Sequence, residues 1–181
     1  MVSQKMNFPD NARWYYLFQD ISSSSIHELI GNMESAFQKL STEKIVLFVS
    51  SSGGELGLAT AFYHWVRFAK IPLITVGMGE VCSSGVLIYL AGKERYILPN
   101  ANFYFHPGST GISAKTSPME SKALLESFEH AKSVMLSIIT AETDISHNQL
   151  KEIDTKSGIL KDKELVELRF AKGILSSIDD Y

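Results

Sequence analysis

The fold of this chain is decided by residues 79–106, which read GEVCSSGVLIYLAGKERYILPNANFYFH. The apolar run from Cys82 to Ala91 predicts a short buried helix. YIL (96–98) and NFYF (102–105) predict two short strands, because both are apolar or aromatic and a proline and an asparagine separate them. Two serines stand near the start of the helix and a histidine follows the last strand, so polar groups lie at the ends of these elements.

Strand and helix patterns alternate upstream of this segment. Apolar and aromatic runs, typical of buried strands, occur at WYYLF (14–18), IVLFV (45–49) and LITVG (73–77). Helical spacing follows Ser25, which stands three residues before Glu28 as in a capping box, and it recurs from Leu56 to Lys70. The order β-α-β-α-β predicts the α/β class, with a parallel sheet and crossover helices.

A long helix is predicted downstream, with Ser117 as its N-cap. Pro118 suits the first helical position, and Glu120 completes a capping box. Apolar residues then recur at alternating spacings of four and three, at Leu124, Phe128, Ala131, Met135 and Ile138. A helix of about 25 residues is about 37 Å long, which exceeds the cover that a small sheet needs. We expect it to project and pack against a partner subunit; the alternative is a helix that lies across its own core.

Length and composition indicate one globular domain, residues 1–181. The chain is 45% hydrophobic and 20% charged, and its formal net charge is -3. These values are ordinary for a globular protein. They give no reason to expect nucleic acid or an anionic membrane surface as a partner.

Signals for cofactors, secretion and membrane insertion are lacking. Cys82 is the one cysteine, so no internal disulfide can form, and no Cys/His cluster has the spacing of a zinc site. We therefore expect no metal and no cofactor. The polar N-terminus lacks the apolar stretch of a signal peptide. The longest apolar run, residues 74–92, contains Glu80, two serines and four glycines, which argues against a membrane span. We predict a cytoplasmic protein.

Three weak signals lie at the ends of consecutive predicted strands. The Gly53-Gly54 pair can expose backbone N–H groups to a reacting carbonyl, although such a pair also makes a plain turn. Ser83 opens a buried helix, where N–H groups favour a nucleophile, although many serines only cap helices. His106 ends a strand, where histidines are usually structural. Each signal is weak alone, but their order and spacing together are specific.

These segments resemble the ClpP serine peptidase family, the proteolytic subunit of Clp proteases. Residues 51–68 (SSGGELGLATAFYHWVRF) are similar to its Ser-Pro-Gly-Gly turn and the following helix. Residues 79–106 are similar to its Gly-x-Ala-x-Ser-Met-Gly segment, its Leu-Pro-Asn turn and its strand that ends in histidine. The resemblance implies a ClpP/crotonase-like ββα spiral with a parallel sheet, crossover helices and a projecting handle helix (handle region about 109–143). It also implies that GISAKT (111–116) lines the substrate groove and joins rings.

The resemblance implies roles for individual residues. Ser83 matches the nucleophile and His106 the general base. The backbone N–H groups of Gly53 and Ser84 match the oxyanion hole. Ser52 replaces the family's proline, and Ser84 replaces the methionine after the nucleophile. Both changes are compatible with an oxyanion contact made by the backbone.

The third member of the catalytic triad departs from the family. The family's aspartate falls on Ser157 when the match is anchored downstream and on Gly158 when it is anchored upstream, and neither residue is acidic. Asp154 and Asp162 are near enough in sequence to substitute. In other serine proteases, loss of the acid alone lowers kcat by about 10⁴-fold. The departure therefore predicts a slow peptidase, a rewired triad or a catalytically silent paralogue.

The resemblance implies a serine endopeptidase that cleaves peptides or unfolded polypeptides inside a ring-shaped homo-oligomer. An ATP-driven unfoldase is a possible partner by the same resemblance, but the few residues before the first strand argue against coupling to it. The main alternative is a non-catalytic ClpP-like structural subunit that lacks the triad aspartate. A crotonase-like acyl-CoA enzyme and a phage head-maturation protease are two further alternatives on related folds.

Overall fold

The computed structural model describes residues 4–6, 8, 11–39, 44–106 and 116–178. In chain order its elements are β1 (Gln4–Met6), β2 (Arg13–Leu17), α1 (Ser23–Lys39), β3 (Ile45–Ser51), α2 (Leu56–Phe68), β4 (Leu73–Cys82), α3 (Gly85–Leu90), β5 (Glu94–Ile97), β6 (Asn102–Tyr104), α4 (Pro118–Glu142), α5 (His147–Thr155), β7 (Ile159–Lys161), α6 (Asp162–Glu167) and β8 (Leu175–Ile178). The start of the predicted handle region and most of the GISAKT segment lie outside the described residues.

Six strands form a mainly parallel sheet. Its order is β2-β3-β4-β6-β7, with β5 also paired to β4. All of these pairs are parallel except β6 with β7. The first half of β4 pairs with β5 and its second half, residues 80–82, pairs with β6. Helices α1, α2 and α3 join successive parallel strands, so the predicted α/β class with crossover helices is confirmed.

The central strand β3 is buried on both faces. Ile45, Leu47 and Val49 belong to the main core, which the helices share. Val46 and Phe48 point to the opposite face and join a smaller cluster. Successive side chains of a strand alternate between faces, so burial on both faces requires the continuous apolar run that the sequence has.

Two predicted boundaries are wrong in detail. β4 continues to Cys82 and α3 begins only at Gly85, because residues 80–82 remain extended to pair with β6. The spacing predicts that Ser25 caps the N-terminus of α1 together with Glu28, but Ser22 and Ser25 form the cap instead. The Ser22 N–H donates to Ser25 Oγ at 2.9 Å, and the Ser25 N–H donates to Ser22 Oγ at 3.3 Å. This reciprocal pair starts the helix before the position that the spacing of Ser25 and Glu28 predicts.

Helix α4 begins with the predicted capping box. The Glu120 N–H donates to Ser117 Oγ at 3.3 Å, and the Ser117 N–H donates to the Glu120 carboxylate at 2.9 Å. The buried residues of α4 lie only in its C-terminal half, at Met135, Leu136, Ile138 and Ile139. Glu142 anchors that end through ion pairs with Arg67 at 2.7 Å and Arg95 at 3.1 Å. The N-terminal half therefore projects, as predicted.

Neither α4 nor any other helix in the described part of the chain is long and apolar enough to cross a membrane.

Candidate active site

Three strand ends meet around a cavity of about 270 Å³. Strands β3, β4 and β6 are adjacent and parallel, so their carboxyl ends lie at one edge of the sheet, where α/β proteins commonly bind ligands. The residues that line the cavity are Asp20, Ser52, Gly53, Gly54, Leu56, Ser83, His106, Phe128, Lys132, Met135 and Asp154. The structure thus brings the predicted Ser83, His106 and Gly53 to one cavity.

Ser83 occupies the sharp turn between β4 and α3. Its φ of +52° lies in a region that residues with a Cβ seldom adopt. The Ser83 N–H donates to the Tyr104 carbonyl at 2.9 Å, and the Val86 N–H donates to the Ser83 carbonyl at 3.1 Å. Backbone held in a rare conformation by its surroundings is frequent at functional sites. The half-buried Ser83 side chain lines the cavity.

The neighbouring Cys82 is a second nucleophilic side chain by chemistry but not by environment. It is buried, and burial raises the pKa of its thiol, as does the nearby Glu80 carboxylate. A thiol with a raised pKa is largely protonated near neutral pH and reacts slowly. The Ser83 hydroxyl is therefore the candidate nucleophile at this turn.

Gly53 lies directly against Ser83. Its φ is +99°, and a Cβ placed on it would lie 2.8 Å from Ser83 Cβ and 3.0 Å from the Cys82 carbonyl oxygen. Both the backbone conformation and this close approach require glycine. The Gly53 N–H donates to Ser51 Oγ at 3.2 Å, at the long end of the hydrogen-bond range. Because this hydrogen bond is long, the Gly53 N–H is able to donate to a stronger acceptor next to Ser83 instead.

His106 follows β6 and lines the same cavity. Its ring stacks on Tyr104, with centroids 5.6 Å apart and planes at 29°. In the sheet Cys82 pairs with Tyr104, which brings the residues after β4 and after β6 to the same level. The Phe105 N–H donates to the Gly158 carbonyl at 2.9 Å and fixes the backbone just before the histidine.

Ser84 stands at the N-cap position of α3 and is buried. Its Oγ donates to the Gly54 carbonyl at 3.1 Å and so ties the glycine turn after β3 to the turn after β4. Ser84 is not among the residues that line the cavity, and its hydroxyl is used in this contact, so only its backbone N–H is left as the predicted oxyanion donor.

Asp154 is the buried carboxylate of the cavity. It lies near the end of α5, and its side chain is only 6% exposed. Its Oδ2 lies 2.6 Å from Nζ of Lys132, which belongs to α4. Of the acids near the expected triad position, Asp154 is the one that the structure brings to the cavity of Ser83 and His106.

The positions that match the family's aspartate do not line the cavity. Ser157 is exposed, with a φ of +54°. Gly158 is packed against Ile153, because a Cβ on it would lie 2.7 Å from the Ile153 side chain. An aspartate at position 158 would therefore force its neighbours to move.

Asp162 does not line the cavity and makes a contact in a turn instead. Its Oδ2 accepts a hydrogen bond from the Asn100 N–H at 3.0 Å, in the turn between β5 and β6. Asn100 has a φ of +66°, so this bond holds an uncommon turn conformation. The structure does not bring Asp162 to Ser83 and His106.

Two charged residues of the cavity, Asp20 and Lys132, are missing from the predicted set. Lys132 comes four residues after Phe128 and three before Met135, so the three share one face of α4. The sequence signal that could have identified Lys132 is its position on the apolar face of a predicted helix. In the described part of the chain, no group of three or more His, Cys, Asp or Glu side chains is arranged to hold a metal ion.

Comparisons with known proteins agree with this architecture. The ATP-dependent Clp protease proteolytic subunit 2 of Treponema pallidum (strain Nichols) is 29% identical over 137 residues, which cover 74% of this chain and 65% of the relative. That match therefore spans slightly less than two thirds of the relative's length. The subunit 2 of Treponema denticola is 25% identical over 170 residues, which cover 93% of this chain and 82% of the relative.

Solved structures share the fold. A mutant of ClpP1 from Listeria monocytogenes has a TM-score of 0.78 at 21% identity, over 92% of this chain and 93% of that one. The Clp protease family model matches residues 3–177. The resemblance found in residues 51–68 and 79–106 is thereby confirmed, and the chain belongs to the Clp protease family.

Proposed function

We propose that this protein is a serine endopeptidase that cleaves peptides or unfolded polypeptides by acyl transfer through Ser83 and His106. The observation that carries the proposal is the meeting of Ser83, His106 and Gly53 around one cavity. Membership of the Clp protease family supports peptidase chemistry, and the relatives are named as proteolytic subunits.

The proposed reaction follows from the groups around the cavity. His106 takes the proton of the Ser83 hydroxyl as Oγ attacks the substrate carbonyl carbon. The oxyanion then accepts hydrogen bonds from the backbone N–H groups of Gly53 and Ser84. A charged oxygen is a stronger acceptor than the Ser51 hydroxyl, which the Gly53 N–H contacts at 3.2 Å before reaction. His106 returns the proton to the leaving amine, and water hydrolyses the acyl-enzyme.

We assign Asp154 as the acid that supports His106. It is buried and lines the same cavity, whereas Asp162 and Ser157 do not. It also lies in the last turn of α5, where the helix dipole disfavours a negative charge. Helix stability therefore does not explain a buried acid at this position. The position of Asp154 favours a role at the site.

The walls of the cavity suggest what binds next to Ser83. Leu56, Phe128 and Met135 form an apolar wall. We expect it to receive an apolar side chain of an extended substrate, whose backbone pairs with an exposed strand edge.

Hydrolysis of an unstructured, quenched fluorescent polypeptide by the purified wild-type protein tests the proposal. We expect cleavage that a serine-reactive inhibitor abolishes. An assembled, folded protein that shows no cleavage, beside an active control peptidase, would contradict the proposed function.

Replacement of Gly53 by alanine should lower kcat/KM about 10²- to 10³-fold, the effect of losing one oxyanion donor. The added methyl group would lie 2.8 Å from Ser83 Cβ, so either the peptide or the serine must move. Steady-state kinetics on the purified variant would measure the loss.

Gly57 provides the matched control for this change. It lies four residues later, in α2, and a Cβ on it meets no heavy atom within 4 Å. Gly57→Ala should therefore keep wild-type kinetics. Equal losses in the two variants would show that the special position of Gly53 has no part in catalysis.

We also propose that the protein forms a ring-shaped homo-oligomer in the cytoplasm. Each subunit of the ring would consist of one ClpP-like domain. The projecting half of α4 exposes apolar side chains that a partner subunit could cover. They are Met119, Leu124 and Leu125, exposed by 83%, 42% and 45%. A chamber formed in this way would restrict the sites to substrates that can enter it.

Charge placed on this surface should break the assembly. Leu124→Glu combined with Leu125→Glu should shift the sedimentation of the protein toward the 20.1 kDa monomer, because buried charges without partners oppose association. Ser137→Glu, at an exposed position of the same helix, should leave the assembly intact. A wild-type protein that sediments as a stable monomer would refute the ring.

A second candidate function is a non-catalytic structural subunit. The non-acidic residues at positions 157 and 158 favour it, because the family's aspartate falls there. Native mass spectrometry of the purified complex discriminates between the two. A homo-oligomer with measurable peptidase activity would exclude the structural role, and an inactive complex that requires a second, triad-bearing subunit would support it.

A further inference from the structure

Lys132 has no part in the reaction just proposed, yet it lies in the cavity of Ser83 and His106. Its Nζ is 2.6 Å from Oδ2 of Asp154. The Lys132 side chain is 27% exposed and that of Asp154 is 6% exposed. The ion pair therefore lies largely out of water and joins α4 to α5 at the wall of the candidate site.

Stability alone explains this ion pair poorly. Removing two charges from water costs about as much free energy as their attraction returns, and an apolar pair of similar size often stabilises a protein at least as well. Asp154 also lies at the unfavourable end of the dipole of α5. What the pair does supply is two opposite, weakly screened charges in the cavity that His106 also lines.

We propose that Lys132 is a positioning residue, which holds the Asp154 carboxylate at the cavity and offsets its charge, so that the pair sets the basicity of His106. The inference rests on the proposed function for the importance of His106 as a base. Its physical content, the electrostatic coupling of the pair to the imidazole, can be measured whether or not the protein hydrolyses peptides.

Among the described residues, other titratable groups of the cavity or next to His106 lie after β2, on β6 and at the end of β4. Asp20, after β2, lines the cavity but is exposed, so water and salt screen its charge. Tyr104 on β6 stacks on the imidazole. Cys82, at the end of β4, is buried, and burial raises the pKa of its thiol, so it carries no charge near neutral pH. Of the two described carboxylates that line the cavity, Asp154 is the buried one, so we expect its field to act more strongly on His106 than that of Asp20.

Single replacements in the pair should move the titration midpoint of the His106 imidazole in opposite directions. Lys132→Met leaves the negative charge of Asp154, which favours the imidazolium and should raise the midpoint by about one pH unit. Asp154→Asn leaves the ammonium, which disfavours the imidazolium and should lower the midpoint by about one unit. The double variant removes both charges and should return the midpoint to within about 0.3 units of wild type.

Carbon-13 NMR titration of the histidine rings in the assembled protein measures this midpoint. A His106→Gln variant identifies the signal among the five histidines. Lys132→Arg keeps the positive charge and should leave the midpoint in place. Lys122→Met is the matched control, because the Lys122–Glu126 pair at 3.8 Å lies on the same helix with side chains 79% and 68% exposed.

Opposite shifts in the single variants, cancelled in the double variant, would support the inference, because loss of a merely structural contact would not reverse sign. Midpoints that stay within about 0.2 units of wild type, or that move in the same direction, would overturn it. Shifts in a protein without Ser83-dependent hydrolysis would contradict the proposed function alone. Hydrolysis with unmoved midpoints would contradict the role of Lys132 alone.

Discussion

The Ser83→Ala variant should hydrolyse peptides about 10⁵- to 10⁶-fold more slowly than the wild type. Alanine cannot form the acyl-enzyme, so only binding and oxyanion stabilisation would remain to assist direct attack by water. The change adds no atoms, and the turn at φ +52° would be held by the same backbone hydrogen bonds, at 2.9 and 3.1 Å. Substrate affinity should therefore change little, and the loss should appear in kcat.

The control for this variant is Ser137→Ala. Ser137 is an exposed residue of α4 whose hydroxyl donates to the Ser133 carbonyl at 2.9 Å. It does not line the cavity, so its replacement should leave kcat within about twofold of wild type. A Ser83→Ala protein that keeps more than about a tenth of wild-type activity would remove Ser83 from the mechanism.

His106→Gln should cause a loss of similar size, about 10⁴- to 10⁶-fold in kcat. Glutamine approximates the volume of histidine, but its amide cannot accept the Ser83 proton and return it to the leaving amine. Because the two residues act as one unit, the double variant Ser83→Ala/His106→Gln should be about as slow as either single variant.

His64→Gln is the matched control for this second variant. His64 lies on α2 and, like His106, has its ring next to a tyrosine: the His64–Tyr63 centroids are 5.3 Å apart in an edge-on contact, and the His106–Tyr104 centroids are 5.6 Å apart in a stacked one. His64 does not line the cavity and should be dispensable. Losses that multiply in the Ser83/His106 double variant would mean that the two residues act independently, which contradicts the proposed proton transfer.

Much of the fold could be predicted because local patterns and sheet geometry act in the same direction. The apolar run of residues 45–49 requires a strand buried on both faces, and β3 is such a strand. The Ser117 and Glu120 spacing requires a helix start, and α4 begins there. Neighbouring parallel strands bring their carboxyl ends together, which is why Ser83 and His106 line one cavity.

The rest depends on tertiary packing that one sequence does not express. α5 is short and mostly polar, so its pattern is weak, and its placement decides that Asp154 rather than Asp162 reaches the cavity. Matching along the chain led to Ser157 and Gly158, because spacing in sequence does not say which way a side chain points. Lys132 was missed for the same reason, since it lies on a helix whose contact with the site follows from the fold.

Covalent labelling of the wild-type protein with a fluorophosphonate, followed by peptide mass spectrometry, is the most direct test of Ser83 as the nucleophile. We expect one adduct, on the Ser83 hydroxyl, which is lost in Ser83→Ala and much slower to form in His106→Gln. A folded, assembled protein that carries no adduct on Ser83, or carries it on another residue, while a control serine peptidase reacts fully, would contradict the account.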